Sequence, residues 1–545
     1  MERRALIAVV ISVLILVLYQ EVVIKRLYPH TDPPPSTGPP AVAPPTDQAV
    51  EAAPAVPPVA GAPVAAAAAP APADASDVMV DTNYYRAVFT TAGARLKSFE
   101  LKHYRSTVAA DSPPLQMVAY PVSGRLPLAL ALRGQEAIDD AGVLYRADQT
   151  QLTVDESATA TVTFVGELAG ATLQKRIQVR GDGYLWGIDV QVDNMPAAYT
   201  EIGLSWDEGI NPAGPKAAEV VFNQVVLLQD DKLVHELFTD LAPGRLSENN
   251  ISWFGFSGAY FLAALVPESE PPNALRLWTK RTENLVEAQL LHPPGSFATH
   301  ADLYVGPKDI NRLEAVGHGL RRAVDLGWFT FVALPMLQAL RFLHSFTGNY
   351  GIAIILLTVL IKLAFYPLTK KSFQSMRDMQ KLQPEMQKIR ERLADKPEEV
   401  NREVMELYKR HKVNPLGGCL PMLLQLPVFV GLYNALQNAV ELRHAPFFGW
   451  VTDLSAPDRL GSLQLPFVEH PGIPVLTLIM GASMFVQQWM TPSAADPAQQ
   501  RVMMIMPVMF TFMFINFPAG LTLYWLVNNC LTIAQQYAMM RPAKR

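Results

Sequence analysis

Nearly all the long apolar runs of this 545-residue chain lie in its first 25 residues and its last 200. Half of all residues are hydrophobic, so that placement demands a membrane protein with a large polar insert. The N-terminus reads MERRALIAVVISVLILVLYQEVVIKR, where Arg3 and Arg4 precede a stretch uncharged to Gln20 and, Glu21 apart, to Ile24. A signal peptide would end in a small-residue cleavage site after a short apolar core, and none follows. Residues 1–26 therefore read as an uncleaved first span with a cytoplasmic N-terminus. Lys25 and Arg26 on the far side oppose that orientation, so later loops must settle it.

Residues 27–77 read as a linker. Between Pro29 and Ser76 lie 14 of the chain's 45 prolines amid alanine tracts, with little from which to build a core. From 78 to 318 the pattern changes to short alternating segments. In ATLQKRIQVRGDGYLWGIDVQVDN, Ile177 and Val179 alternate with Arg176, Gln178 and Arg180. After Gly181-Asp182-Gly183, residues Tyr184, Trp186, Ile188, Val190 and Val192 line one face. That is a hairpin of period two. AVFTTAGARLKSF, EVVFNQVVLL and GAYFLAALV repeat the pattern. The insert is expected to be one all-β domain of two packed sheets, a β-sandwich.

Residues 321–346 are apolar enough for a span, yet Pro335 interrupts them and Arg341 and His344 sit near their end. The alternative is an interfacial amphipathic helix over 319–347. Loop charge decides. Residues 370–412 carry twelve Lys/Arg against eight Asp/Glu, and the C-terminal RPAKR is basic. If 321–346 lies on the outer surface, the first span exits, 351–368 returns, and both basic segments fall inside. The remaining spans are 420–440, 474–490, 503–517 and 521–538. That makes six crossings with both ends cytoplasmic, five of them in a core at 348–545. The fifth span, about 22 Å long as a helix, is short for a hydrocarbon layer of about 30 Å and suggests a thinned bilayer. Within 372–413, Leu382, Met386, Ile389 and Leu393, then Val400, Val404 and Leu407, recur at helical spacing. They predict an antiparallel cytoplasmic hairpin whose charge is mostly a solvated face.

Catalytic chemistry finds no purchase. The only two cysteines, Cys419 and Cys530, fall in apolar runs, which excludes a disulfide framework. Gly255-Phe256-Ser257-Gly258 matches the GxSG of intramembrane serine proteases, but it lies in the β insert and no span holds a histidine as base. There is no phosphate-binding G-x-x-x-x-G-K-[ST] loop, and the ten histidines form no metal-spaced cluster. No catalytic residue, metal site, cofactor or nucleic-acid sequence recognition is expected.

The spans do carry amides: Gln425, Asn434, Gln437, Gln487, Gln488, Asn516, Asn528, Asn529, Gln535 and Gln536. Singly, each reads as interhelical glue. Lys362 is the one formally charged residue among them, and a mid-bilayer ammonium costs roughly 2.5 to 3.5 kcal/mol on the translocon scale. It lies about 12 Å of helix from Lys370, so a snorkelling anchor is one reading. Thr358 at i−4 and Thr369 at i+7 share its face, a polar stripe that favours a wetted cavity. Fifteen of the 20 methionines follow residue 370; the default is core filling, but such side chains also suit a surface accepting varied apolar partners.

FYPLTKKSFQSMRDMQKLQP, KVNPLGGCLPMLLQLPVFVGLYNAL, MPVMFTFMFINFPAGLTLYWLVNN and the external LYVGPK together resemble the YidC membrane-protein insertases of Gram-negative bacteria. The resemblance covers essentially the whole chain. It implies an insertase and chaperone that moves hydrophobic spans and short polar tails into the inner membrane, alone or beside the Sec translocon (SecYEG, SecDF). Its partners would be nascent membrane proteins, the lipid bilayer and, weakly through cytoplasmic loops, the ribosome. It further implies a hydrophilic groove, open to cytoplasm and lipid, holding a cation from the second span. Family members usually have arginine where this chain has Lys362, which keeps the charge and loses the planar fork. The substrate-contacting positions map onto Thr358, Leu426, Phe429, Tyr524 and Trp525, with Gln425, Asn528 and Gln535 as further polar lining. A secondary transporter using Lys362 as substrate or coupling-ion site is the competing class. Against it stand the missing acidic partner, the absence of a visible inverted repeat and the cytoplasmic hairpin. A translocon-bound scaffold is a third.

Overall fold

The computed structural model describes residues 72–109, 111–118, 125–210, 221–241, 244–248, 250–268, 276–282, 285–393, 396–413, 420–463, 471–491 and 497–540. The expected first span, nearly all of the linker and Cys419 lie outside them. From Asp77 to Pro307 the regular elements of the described chain are strands, apart from one short 3-10 turn at Asp140–Gly142. The GDG hairpin forms as read: strands Ala171–Arg180 and Leu185–Asp193 pair antiparallel with Val179 opposite Trp186 and Ile177 opposite Ile188. Tyr184, Trp186, Ile188, Val190 and Val192 are buried, because alternation sends every second side chain to one face.

The expectation of two sheets is corrected. Among the described residues there are three, of nine, six and five strands. The nine- and six-stranded sheets are antiparallel throughout. The five-stranded sheet contains one parallel pair, Asp77–Thr82 with Gln151–Val154. Strand pairing over some seventy residues of sequence leaves no local signature, so alternation alone could not count sheets. One core joins them, with Phe99 stacked on Trp186 at 6.2 Å and Phe89 edge-on to the same indole. LYVGPK forms the end of strand Ala298–Pro307 and the lysine after it, and Lys308 Nζ donates to Gly258 O at 3.1 Å.

Helices follow. A short α1 (Ile310–Val316) is capped by Asp309, whose side chain accepts from Arg312 N. Helix α2 (Thr330–Thr347) is the amphipathic one. It buries Ala333, Met336, Leu337 and Leu340, while Phe331, Phe342 and Phe346 stand exposed behind Trp328. Exposed rings on one side and a packed stripe on the other suit a helix lying along a lipid surface. Then come α3 (Tyr350–Ala364), α4 (Tyr366–Lys381), α5 (Gln383–Arg392), α6 (Pro397–Arg410), α7 (Leu420–Asn438), α8 (Val475–Met490), α9 (Pro497–Phe514) and α10 (Ala519–Met540).

The segment expected as a span at 351–368 is not one straight helix. The chain bends by 63° between α3 and α4. Pro367 has no N–H to donate, and its ring crowds the carbonyl four residues back, so the helix stops and restarts at Phe365. Thr369 therefore sits on a different helix from Thr358 and Lys362, and the i+7 relation fails. Among the described residues no single helix is both long and apolar enough to cross a bilayer; only the bent pair α3–α4 passes together. Helix α10 has the length, about 33 Å at 1.5 Å per residue, but Asn528, Asn529, Gln535 and Gln536 lower its hydropathy. Helices α5 and α6 pack as a hairpin through Leu382, Met386, Leu407 and Tyr408, whose hydroxyl donates to Met386 Sδ at 3.3 Å.

Candidate functional site

Helix α10 packs between α3 and α8. Two of its amides tie it to α8. Asn529 Nδ2 donates to Ser483 Oγ at 3.0 Å, and Gln536 Nε2 donates to Met490 O at 2.6 Å. Asn434 on α7 similarly donates to Leu326 O at 2.9 Å. These amides are glue, each meeting a partner that an apolar surrounding would otherwise leave unsatisfied.

An adjoining side of α10 meets α3 and holds the cation. Lys362 Nζ donates to Thr532 Oγ1 at 2.8 Å, and Thr532 Oγ1 donates onward to Asn528 O at 2.7 Å. Lys362 is half-buried, and no carboxylate among the described residues pairs with it. An ammonium has three N–H donors, and the hydroxyl takes one. Gln535, one turn beyond Thr532, has a buried Oε1 with no hydrogen-bond partner. Asn528, Thr532 and Gln535 recur at i, i+4 and i+7, so they share one face. Thr532 is the functional candidate that sequence reasoning missed. Its signal was present in that spacing, but a threonine among apolar residues is unremarkable until a lysine is seen opposite it.

The apolar positions sort by depth. Leu426 is 57% exposed, and Phe429 and Trp525 are half-buried, edge to face at 4.8 Å and 89°. Phe514 and Phe510 complete an aromatic cluster, 5.1 and 6.4 Å from the same indole. Thr358 and Tyr524, each 1% exposed, instead lie inside the packing. Thr358 Oγ1 donates to Ile354 O at 2.6 Å, and Tyr524 shares a side-chain hydrogen bond with Gln425. The result is a half-buried cation and an unpaired amide oxygen on one side of α10, with aromatic rings further along it. The GxSG serine stands apart, wholly buried in strand Ile251–Ser257.

The described chain thus joins an all-β domain to a helical unit that holds a half-buried cation where α3 meets α10. Known families agree. Residues 342–545 match the family described as 60Kd inner membrane protein, and residues 77–339 match the YidC periplasmic domain. Membrane protein insertase YidC of Pelobacter propionicus is 40% identical over 548 residues, covering 98% of each chain. The YidC of Syntrophus aciditrophicus is 39% identical over 573 residues, covering 100% of both. A solved YidC insertase structure covers 86% of this chain at 18% identity and a TM-score of 0.37. The chain belongs to the YidC family of membrane protein insertases. It is a polytopic α-helical inner-membrane protein with a large all-β periplasmic domain, and it is not an enzyme.

Proposed function

We propose that this chain inserts membrane proteins through a hydrophilic groove beside Lys362, with Thr358, Leu426, Phe429, Tyr524 and Trp525 forming the face that receives the incoming segment. Gln425, Asn528 and Gln535 would line its polar part. The observation that carries this reading is the half-buried Lys362 ammonium, which meets one hydroxyl and, among the described residues, no carboxylate. A cation so placed needs water beside it or an anion that arrives. An acidic tail entering from the cytoplasm would be held there transiently while its apolar segment slides past Leu426, Phe429 and Trp525 into lipid. Burial of that segment, at roughly 25 cal/mol per Å² of apolar area, supplies the drive without nucleotide. Tyr524 and Thr358, being buried, would contribute through the rings and backbone they position.

The reading includes six crossings, with domains at 1–26, 27–77, 78–318, 319–347 and 348–545 and both termini cytoplasmic. It includes the hairpin 372–413 as first receiving surface, a weak ribosome contact through the cytoplasmic loops, and work beside the Sec translocon, SecYEG and SecDF. Its test is insertion of a one-span substrate with an acidic tail into vesicles that lack the translocon. Lys362→Ala should lower insertion about tenfold, as loss of 1.4 kcal/mol would, and Lys362→Arg should retain it. Equal insertion by Lys362→Ala refutes an essential charge.

A further inference from the structure

The loop after α7 is docked against the underside of the β domain. Val440 belongs to the β-domain core, while its neighbours Ala439 and Leu442 belong to the helical core. Arg443 donates to Arg105 O at 2.6 Å and Ser106 O at 3.1 Å, and lies 5.4 Å over the Phe261 ring. Beside it sits an ion triad drawn from three elements. Arg341 of α2 meets Glu441 Oε1 at 2.5 Å and Asp309 Oδ2 at 3.2 Å, each of the three side chains about one-fifth exposed. Asp309 Oδ1 caps α1, so Oδ2 is the oxygen left for the arginine. The two carboxylates are close enough to each other for a side-chain hydrogen bond when one is protonated.

The triad stands at the end of α7, three residues beyond Asn438. Helix α2 lies along α7 so closely that a Cβ at Gly431 would come within 3.0 Å of Val332 Cγ1. We propose that Arg341 is a positioning residue for insertion: by bridging Asp309 and Glu441 it fixes the outer end of α7, and with it Leu426 and Phe429, relative to the periplasmic domain. The physical basis is the pairing of one cation with two half-desolvated anions. Remove the cation, and two like charges face each other in a site with little water. Neutralise the anions as well, and the repulsion goes. The proposal rests on the reading that α7 carries the incoming segment, whereas its structural half does not.

The test uses the full chain in nanodiscs with Cys419 and Cys530 replaced by serine. Spin labels are placed at Glu156, exposed on the β domain, and at Thr452, exposed between α7 and α8. Wild type should give one narrow distance distribution. Arg341→Gln should raise a second, displaced population about tenfold, equivalent to about 1.4 kcal/mol, and lower insertion of a one-span substrate in the same proportion. Adding Asp309→Asn, which still caps α1, and Glu441→Gln should restore both readouts toward wild type. Rescue by removing carboxylates is a result that loss of arginine packing alone would not give. Glu441→Gln by itself leaves Arg341 paired to Asp309 and should shift both readouts less; it serves if Arg341→Gln fails to accumulate. An unchanged distribution in Arg341→Gln, no rescue by the neutral triple variant, or normal insertion despite a displaced domain each overturns the proposal. Failure of the Lys362 reading would show instead as normal insertion by Lys362→Ala.

Discussion

Glu208 stands inside the β domain, 4% exposed, and among the described residues its carboxylate meets only the Trp206 indole N–H, at 3.4 Å. Burial pushes its pKa up from 4.5 to about 8, the Trp206 hydrogen bond opposing. Its neighbour Asp207 is raised from 3.8 to about 7 by burial and by Glu287. A carboxyl whose folded pKa exceeds its unfolded value keeps a proton that the unfolded chain has released. Its contribution is therefore complete below about 4.5, for Glu208, and lost as pH rises through about 8. Each such group tilts stability downward by about 1.4 kcal/mol per pH unit inside its window. Glu208→Gln cannot titrate, so between pH 5 and 7 wild type should lose about 3 kcal/mol more than the variant. For a domain of this size that is a difference of about 6–12 °C in melting shift. His292, pushed down to about 4 by burial, works the other way between 4 and 6.5, but it is common to both proteins and cancels. The measurement is thermal unfolding of the full chain in detergent from pH 5 to 8, followed by tryptophan fluorescence. Parallel Tm–pH curves for wild type and Glu208→Gln would refute the reasoning.

Two further outcomes test the fold and the absence of catalysis. A Cβ at Gly255 would lie 2.0 Å from the backbone oxygen of Ala263 in the paired strand, so Gly255→Ala should cost about 3 kcal/mol, visible as a lower urea midpoint. Ser257→Ala should leave insertion unchanged and alter stability by less than about 1 kcal/mol, since among the described residues its hydroxyl meets only Gly258 O, at 3.3 Å; loss of insertion would reopen a nucleophile.

Local physics was legible from residues. The 171–193 hairpin followed from alternation and a GDG turn, the α5–α6 hairpin from apolar spacing, and the amphipathic character of α2 from Pro335, Arg341 and the intervening apolar positions. Lys362 drew notice because an ammonium in an apolar run is expensive wherever the helix goes. The bend at Phe365 is encoded by Pro367, but the apolar run continues past the proline and hides the break. Nothing along the chain, by contrast, could tell that Asn434, Asn529 and Gln536 meet partners while the Gln535 Oε1 does not, or reveal that Thr358 and Tyr524 are buried while Leu426 is exposed. Those facts depend on which face of each helix meets which neighbour.

Three sheets rather than two, the pairing of Lys362 with Thr532 across 170 residues, and the meeting of Asp309, Arg341 and Glu441 are all long-range. Periodicity reports how a segment divides its own faces between apolar and polar surroundings. It carries no record of the partner segment, so side-chain chemistry set what each element could tolerate, and packing chose whom it met.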